Sequence, residues 1–181
     1  MDLIFTYIYF YLPGAMANIG ANIGRFIPGF RDMITPIDGG RKLNGIRLIG
    51  DHKKIGSFIF GVLFGTMIGI LKTLYFDQLF PRHLLLRLDM TQNILMYALI
   101  SFGALSGDLI KSFIKRQLKR PEHSPWIPFD EIDHTTVSLL LAKIFFPIAW
   151  VDIFGIIVLI FFLHLATNVI GYLIRVKEVP Y

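Results

Sequence analysis

Four or five stretches of this sequence are long and apolar enough to cross a bilayer as helices, which takes roughly 20 residues and about 17 at minimum. Residues 3–24 carry no charge, residues 55–71 are uncharged up to Lys72, and residues 93–107 are uncharged and lead into a polar helix face. Residues 135–151 are apolar apart from Lys143, and residues 153–174 apart from His164. The break at residues 147–152 favours five spans, with four as the alternative. Pro13 and Gly14 are expected to kink or break the first of them. With 54% hydrophobic residues and a mean hydropathy of +0.60, the chain lacks the polar share that would enclose its apolar residues as a soluble globule. It reads as an all-α integral membrane protein of about five transmembrane helices, with residues 1–181 as one membrane-embedded domain. Neither a basic region nor a small-residue cleavage pattern marks the N-terminus, so the first span is expected to be retained.

The formal net charge of +5 could suggest nucleic acid. The basic residues sit in loops between apolar spans, however, where anionic lipid headgroups and a nucleotide triphosphate account for them better, and no nucleic acid is expected. With five spans, one side of the membrane receives loop 25–54, loop 115–134 and the C-terminal tail. The first loop holds Arg25, Arg31, Arg41, Lys42, Arg47, Lys53 and Lys54; the second holds Lys115, Arg116, Lys119 and Arg120; the tail holds Arg175 and Lys177. The other side has Arg82 and Arg87, with Lys72 near a helix end. The positive-inside rule therefore puts the N-terminus outside and both polar loops in the cytoplasm, as in a multi-pass protein of the cell membrane. The absence of cysteine removes thiolate zinc sites and cysteine nucleophiles, so a metal would be a hard ion held by oxygen, magnesium by default.

Asp108, Lys111, Ser112 and Lys115 fall at i, i+3, i+4 and i+7, so on a helix a carboxylate, a hydroxyl and two ammonium groups share one face. Asp130, Glu131 and Asp133 follow one loop later. Asp108 alone could be an interfacial helix charge, and Asp130 or Asp133 alone could cap the next helix. Three carboxylates converging with Lys111, Lys115 and Arg116 point instead to metal-assisted chemistry on a phosphate at the membrane surface. The first loop adds Pro36-Ile37-Asp38-Gly39-Gly40-Arg41-Lys42 and Gly50-Asp51-His52-Lys53-Lys54. Its glycines and cations suit a triphosphate, although a solvated basic loop would read the same way. Asn18 and Asn22, one helical turn apart, serve either packing or a headgroup. Gly61, Gly65 and Gly69, like Gly103 and Gly107, read as close helix packing. His52, His83, His123, His134 and His164 have no metal-ligand spacing, and His164 reads as a packing residue.

Taken in order, Leu12-Pro13-Gly14-Ala15-Met16-Ala17-Asn18, Pro36-Ile37-Asp38-Gly39-Gly40, Gly50-Asp51-His52-Lys53, Gly107-Asp108 with Ser112, Lys115 and Arg116, and Asp130-Glu131-Ile132-Asp133 resemble the CDP-archaeol synthase family. That family belongs with the integral-membrane CTP:phosphatidate cytidylyltransferases. The resemblance covers nearly the whole chain. It implies a five-span enzyme that uses magnesium to join CTP to an unsaturated isoprenoid ether-lipid phosphate, giving CDP-archaeol and pyrophosphate, with two polar loops forming the cleft. It implies metal ligation by Asp108, Asp130 and Asp133. Lys53, Ser112, Lys115 and Arg116 match positions near phosphates, with Lys53 and Lys115 joining Asp108 and Asp133 in catalysis, and Asn18 and Asp38 match the polar positions of the first two motifs as substrate contacts. Three positions depart from the family pattern: Lys54 stands where threonine is usual, Glu131 where glutamine is usual, and His134 where an aromatic is usual.

The implied reaction is in-line attack of a lipid phosphate oxygen on the α-phosphorus of CTP, which needs positioning and charge neutralisation more than a general base. The alternatives are a phosphatidate cytidylyltransferase acting on diacyl glycerol phosphate, a CTP-dependent polyprenol kinase attacking the γ-phosphorus, and a small transporter. The last would favour ionisable residues at mid-membrane, where only Lys143 and His164 fall. Nothing in the sequence sets an oligomeric state.

Overall fold

A helix stands at each expected span, the fourth displaced toward the N-terminus and ending at Phe145. The computed structural model describes residues 2–121 and 126–175, with α1 at Asp2–Gly24, α2 at Ile55–Tyr75, α3 at Met90–Gln117, α4 at Phe129–Phe145 and α5 at Trp150–Leu173. Lys177, counted above in the cationic tail, and His123 lie outside the described residues. α1, α2, α3 and α5 are long and apolar enough to cross a membrane. α4 has 17 residues and opens with Asp130, Glu131, Asp133 and His134, so only its later turns are apolar.

The fourth helix therefore begins ahead of the apolar run that announced it. Carboxylates are favourable in a helix's first turn, where they face the positive end of its dipole. Pro147 sets the other end by disfavouring helical geometry at Phe146, which is extended at φ −129 and ψ 145. Lys143 donates to the Ile148 carbonyl at 2.6 Å and lies 4.5 Å from the centre of the Trp150 ring. That cation closes the α4–α5 corner.

Pro13 does not break α1. Ser101 Oγ of α3 donates to the Pro13 carbonyl there at 3.4 Å. A Cβ on Gly65 of α2 would come within 2.5 Å of the same oxygen. The glycine stripe of α2 thus seats α1, as close packing in lipid requires. On α3 a Cβ at Gly103 would meet Ser138 Cα at 2.5 Å, and one at Gly107 would meet the Asp133 carbonyl at 2.5 Å. These two glycines let α4 lie directly on α3.

The apolar core, which includes Tyr7, Phe10, Met96, Ile100, Leu139 and Ile156, fills the half of the bundle around the N-terminal turns of α1 and α3. Large apolar side chains on α5, such as Phe154, Phe162 and Leu173, face outward as lipid-facing residues do. The opposite half ends in the polar loops. Within residues 25–54 the chain forms a two-stranded antiparallel ribbon, β1 at Lys42–Leu43 and β2 at Ile46–Arg47. Asn44 and Gly45 turn it with φ of 50° and 81°, the paired positive values of a tight hairpin. This ribbon is an addition to the all-helical expectation, and the Asn-Gly pair was its signal in the sequence.

Candidate active site

At the polar end of the bundle, α3 presents Asp108, Lys111, Ser112 and Lys115 on one face, as their spacing predicts. α4 brings Asp130 and Asp133 against it, a juxtaposition that Gly107 permits. The acidic pair stands on the first turns of α4 and not in a loop. Neither acid is the N-cap, a position held by Pro128, although Asp130 Oδ2 accepts from the Trp126 amide at 2.6 Å.

All three carboxylates meet one ammonium. Lys111 Nζ lies 3.2 Å from Asp108 Oδ1, 3.4 Å from Asp130 Oδ1 and 3.0 Å from Asp133 Oδ2. Lys53, from the first loop, pairs with the second oxygen of Asp108, and Lys115 Nζ reaches both oxygens of Asp130 at 2.9 Å. Three acids are thus matched by three lysines. Lys111, which sequence reading counted only as one cation of the face, is the centre of the cluster.

The first loop is organised by Asp38. Its buried carboxylate accepts from Arg47 Nη2 at 2.8 Å and Nε at 3.3 Å, and from the amides of Gly40, Ile49 and Gly50 at 3.0 Å each. The Arg47 guanidinium, with those amides, holds its carboxyl well below the usual carboxylate range against the opposing effect of burial. With its oxygens so engaged, Asp38, the expected substrate contact, shapes the loop and lines none of the three cavities described next. The loop it shapes delivers Lys53: the Ile37 amide bonds the Lys53 carbonyl at 2.9 Å. Arg116 Nε donates to the Ile49 carbonyl, tying α3 to the same loop. Gly50, at φ +116, lies beside the Arg116 guanidinium in a backbone conformation that residues other than glycine rarely adopt.

Three cavities meet at the carboxylates. One of about 430 Å³ runs between α1 and α5, with Ile8, Leu12, Ala15, Ile160 and Leu163 as apolar wall and Asp108, Lys111, Asp130 and Asp133 at its polar end. A second, of about 340 Å³, has a polar lining of Asn18, Asn22, His52, Lys53, Ser57 and Asp108. The third, of about 250 Å³, is strongly basic, with Lys53, Lys111, Ser112, Lys115, Arg116 and Arg120. Asn18 therefore lines two cavities beside the cluster. Ser112 faces the third, its hydroxyl donating to the Asp108 carbonyl at 2.7 Å. Glu131 is turned into the protein, 2% exposed, and lines none of the three.

The donor set suits a hard divalent cation, being carboxylate oxygen alone. Among the described residues no three acidic or histidine side chains stand together as ligands; the three aspartates are spaced around the Lys111 ammonium, which marks the point a cation would share.

A family model described as CarS-like, CDP-archaeol synthase, matches residues 1–181. The CDP-archaeol synthase of Methanosphaerula palustris is 38% identical over 158 residues, covering 81% of this chain and 90% of its own. That of Saccharolobus solfataricus is 34% identical over 182 residues, covering 99% and 97%. A solved structure, described as an intramembrane enzyme for archaeal membrane lipids biosynthesis, superposes with a TM-score of 0.67 at 26% identity, covering 89% of this chain and 91% of that one. An apolar cavity and a basic one meeting at a carboxylate cluster, in a membrane-embedded bundle matched along its whole length, accord with these likenesses: the chain belongs to the CarS-like CDP-archaeol synthase family.

Proposed function

We propose that the carboxylate cluster is where this membrane enzyme carries out its family's reaction, the CTP-dependent formation of CDP-archaeol. The observation that carries this reading is the meeting of an apolar and a basic cavity at Lys111 and Asp130, with the polar second cavity joining the apolar one at Asp108. The apolar cavity suits the isoprenoid chains of a lipid phosphate entering between α1 and α5. The basic cavity suits the triphosphate of CTP. The lipid phosphate oxygen attacks the α-phosphorus in line, forming a new P–O bond as the bond to the β-phosphate oxygen breaks and pyrophosphate leaves.

A phosphate dianion needs no base to make it nucleophilic near neutral pH, so the residues act by position and charge. Lys53, Lys115 and Arg116 offset charge on the triphosphate and the departing pyrophosphate. Ser112 and Asn18 contribute neutral contacts at the rims of their cavities. Asp38 acts from a distance by holding the loop that carries Lys53. In the cluster as it stands, acids and lysines balance. Lysines drawn onto arriving phosphates uncover Asp108, Asp130 and Asp133, whose oxygens would then hold magnesium. A divalent cation bound there would stabilise the charge that builds on the phosphoryl oxygens. The cationic side chains of loop 25–54 support a cytoplasmic position for this end of the bundle, on the side of the nucleotide pool.

The test uses purified protein in detergent with magnesium and CTP labelled at either the α- or the γ-phosphorus. The lipid acceptor is geranylgeranyl ether glycerol phosphate or diacyl glycerol phosphate. Label from the α-phosphorus in the ether lipid, with γ-label released in pyrophosphate and none in the lipid, is the expected result. Transfer of γ-label to a lipid acceptor would mean a kinase, and preference for the diacyl lipid would overturn the ether-lipid assignment.

A further inference from the structure

Asp133 is held from two sides. Its Oδ2 faces the Lys111 ammonium at 3.0 Å, and its Oδ1 meets Nδ1 of His134 at 3.0 Å. An ionised carboxylate can only accept, so the imidazole carries a proton on Nδ1. The ring is confined between helices: its centroid lies 6.0 Å from that of Tyr11 on α1 and 5.8 Å from that of His164 on α5. The backbone beneath it is fixed as well. Ser138 Oγ donates to the His134 carbonyl at 2.7 Å, and a Cβ on Gly107 would come within 2.9 Å of His134 Cα. The bond to Asp133 is therefore offered from a ring that packing has already oriented.

We propose that His134 is a positioning residue for Asp133. Its Nδ1–H secures one carboxylate oxygen, so that the other points to the centre of the three aspartates. The proposal rests on the reading that those aspartates hold the divalent cation. Its physical basis is pre-organisation: a ligand oxygen already aimed at the ion loses less freedom on binding, and groups that hold such ligands typically change metal affinity by about 10- to 100-fold. The same ring lines the apolar cavity beside Leu163, so one side chain touches both the lipid cavity and the acid cluster.

Three substitutions separate the donor from the packing. His134→Phe keeps a ring between Tyr11 and His164 but removes the donor. His134→Asn keeps an N–H near the position of Nδ1, whereas His134→Gln carries its amide farther out. Mn2+ binding to the full chain in detergent, followed by the electron paramagnetic resonance of free Mn2+, reads the effect without turnover. The half-activating metal concentration and the KM for lipid phosphate are then measured beside it. His134→Phe should weaken Mn2+ binding and raise the half-activating concentration by about tenfold, with a much smaller change in the lipid KM because an aromatic ring still lines the cavity. His134→Asn should recover most of that loss, and His134→Gln should not. Wild-type Mn2+ affinity in a folded His134→Phe overturns the proposal; if that variant does not fold, equal Mn2+ affinity in the asparagine and glutamine variants overturns it. Asp133→Asn is measured in parallel. If it binds Mn2+ like wild type, the metal reading falls and the proposal with it; if it alone loses binding, only the role of His134 falls.

Discussion

A paired lysine stands at each end of this helical bundle, buried at one and half-buried at the other, and the two are surrounded very differently. Lys72, at the last turn of α2, is 6% exposed and pairs with Asp77 at 3.3 Å. It lies 4.0 Å from the centre of the Tyr9 ring and 5.2 Å from that of Tyr97. Tyr9 in turn donates to Asp77 at 2.6 Å, and the Tyr97 hydroxyl bonds Thr73 at 2.6 Å. The cavity beside it has about 10 Å³, too little for any substrate. One cation, one anion and two aromatic faces complete a closed set. Lys111 instead draws in three aspartates and opens onto cavities of about 430 and 250 Å³. Both clusters satisfy their charges internally, so pairing alone does not identify a functional site. The difference lies in whether the paired groups can exchange their partners for something that enters.

The contrast predicts opposite phenotypes for single substitutions. The largest effect belongs to Asp133→Asn, which should lower CDP-lipid formation by roughly a thousandfold, several kcal/mol of charge stabilisation, while thermal unfolding stays near wild type. Next comes Gly107→Ala, whose methyl must push against the Asp133 backbone. About a hundredfold loss of kcat is expected from moving that acid by about 1 Å, with about 1–3 kcal/mol of overpacking. Gly69→Ala overpacks α2 against Tyr97 at the closed end, and should cost similar stability with a much smaller loss of activity. If both glycine variants lose activity equally, the two ends are not functionally distinct.

Lys72→Met reverses the first experiment. It leaves the half-buried Asp77 without its cation, so denaturant unfolding in detergent should show a loss of about 2 kcal/mol, with turnover of the remaining folded protein close to wild type. The smallest effect is in the first loop. Because Arg47 and the backbone amides hold the Asp38 carboxyl below its ordinary value, its contribution is complete above the unfolded-state value near pH ~4 and fades as pH falls below it. Hydrogen exchange at the Gly40, Ile49 and Gly50 amides, with rates corrected for intrinsic pH dependence, should therefore show protection that is level at neutral pH and declines only in that acid range. Asp38→Asn should abolish the decline. A decline already present at neutral pH would mean that another group holds the loop.

Much of this organisation was legible before the fold was known. Uncharged runs announced the membrane helices because lipid tolerates few unpaired charges. The 3.6-residue period put Asp108, Lys111, Ser112 and Lys115 on one face, since α3 continues without a break past its apolar part. What the sequence hid was partnership. Nothing in the order of residues says that Lys111 takes all three aspartates, or that Asp38 gives its oxygens to Arg47 and three amides. Those facts depend on how closely α4 and the first loop approach α3, which small residues such as Gly107 and Gly50 decide. The start of α4 was hidden for a related reason: hydropathy marks where lipid begins, whereas a helix can begin earlier in the polar layer, where its first-turn acids are favourable. Lys143 illustrates the limit again, since a lone charge in an apolar run proved to be a closing contact for a helix corner.

The most direct test of the central claim is magnesium-dependent transfer of α-labelled CTP to geranylgeranyl ether glycerol phosphate, measured side by side for wild type, Asp133→Asn and Lys72→Met at matched amounts of folded protein. The account predicts that labelled lipid is nearly absent with Asp133→Asn and close to wild type with Lys72→Met. Retained transfer in Asp133→Asn, or an equal loss in both variants, would contradict the assignment of the chemistry to the open carboxylate cluster.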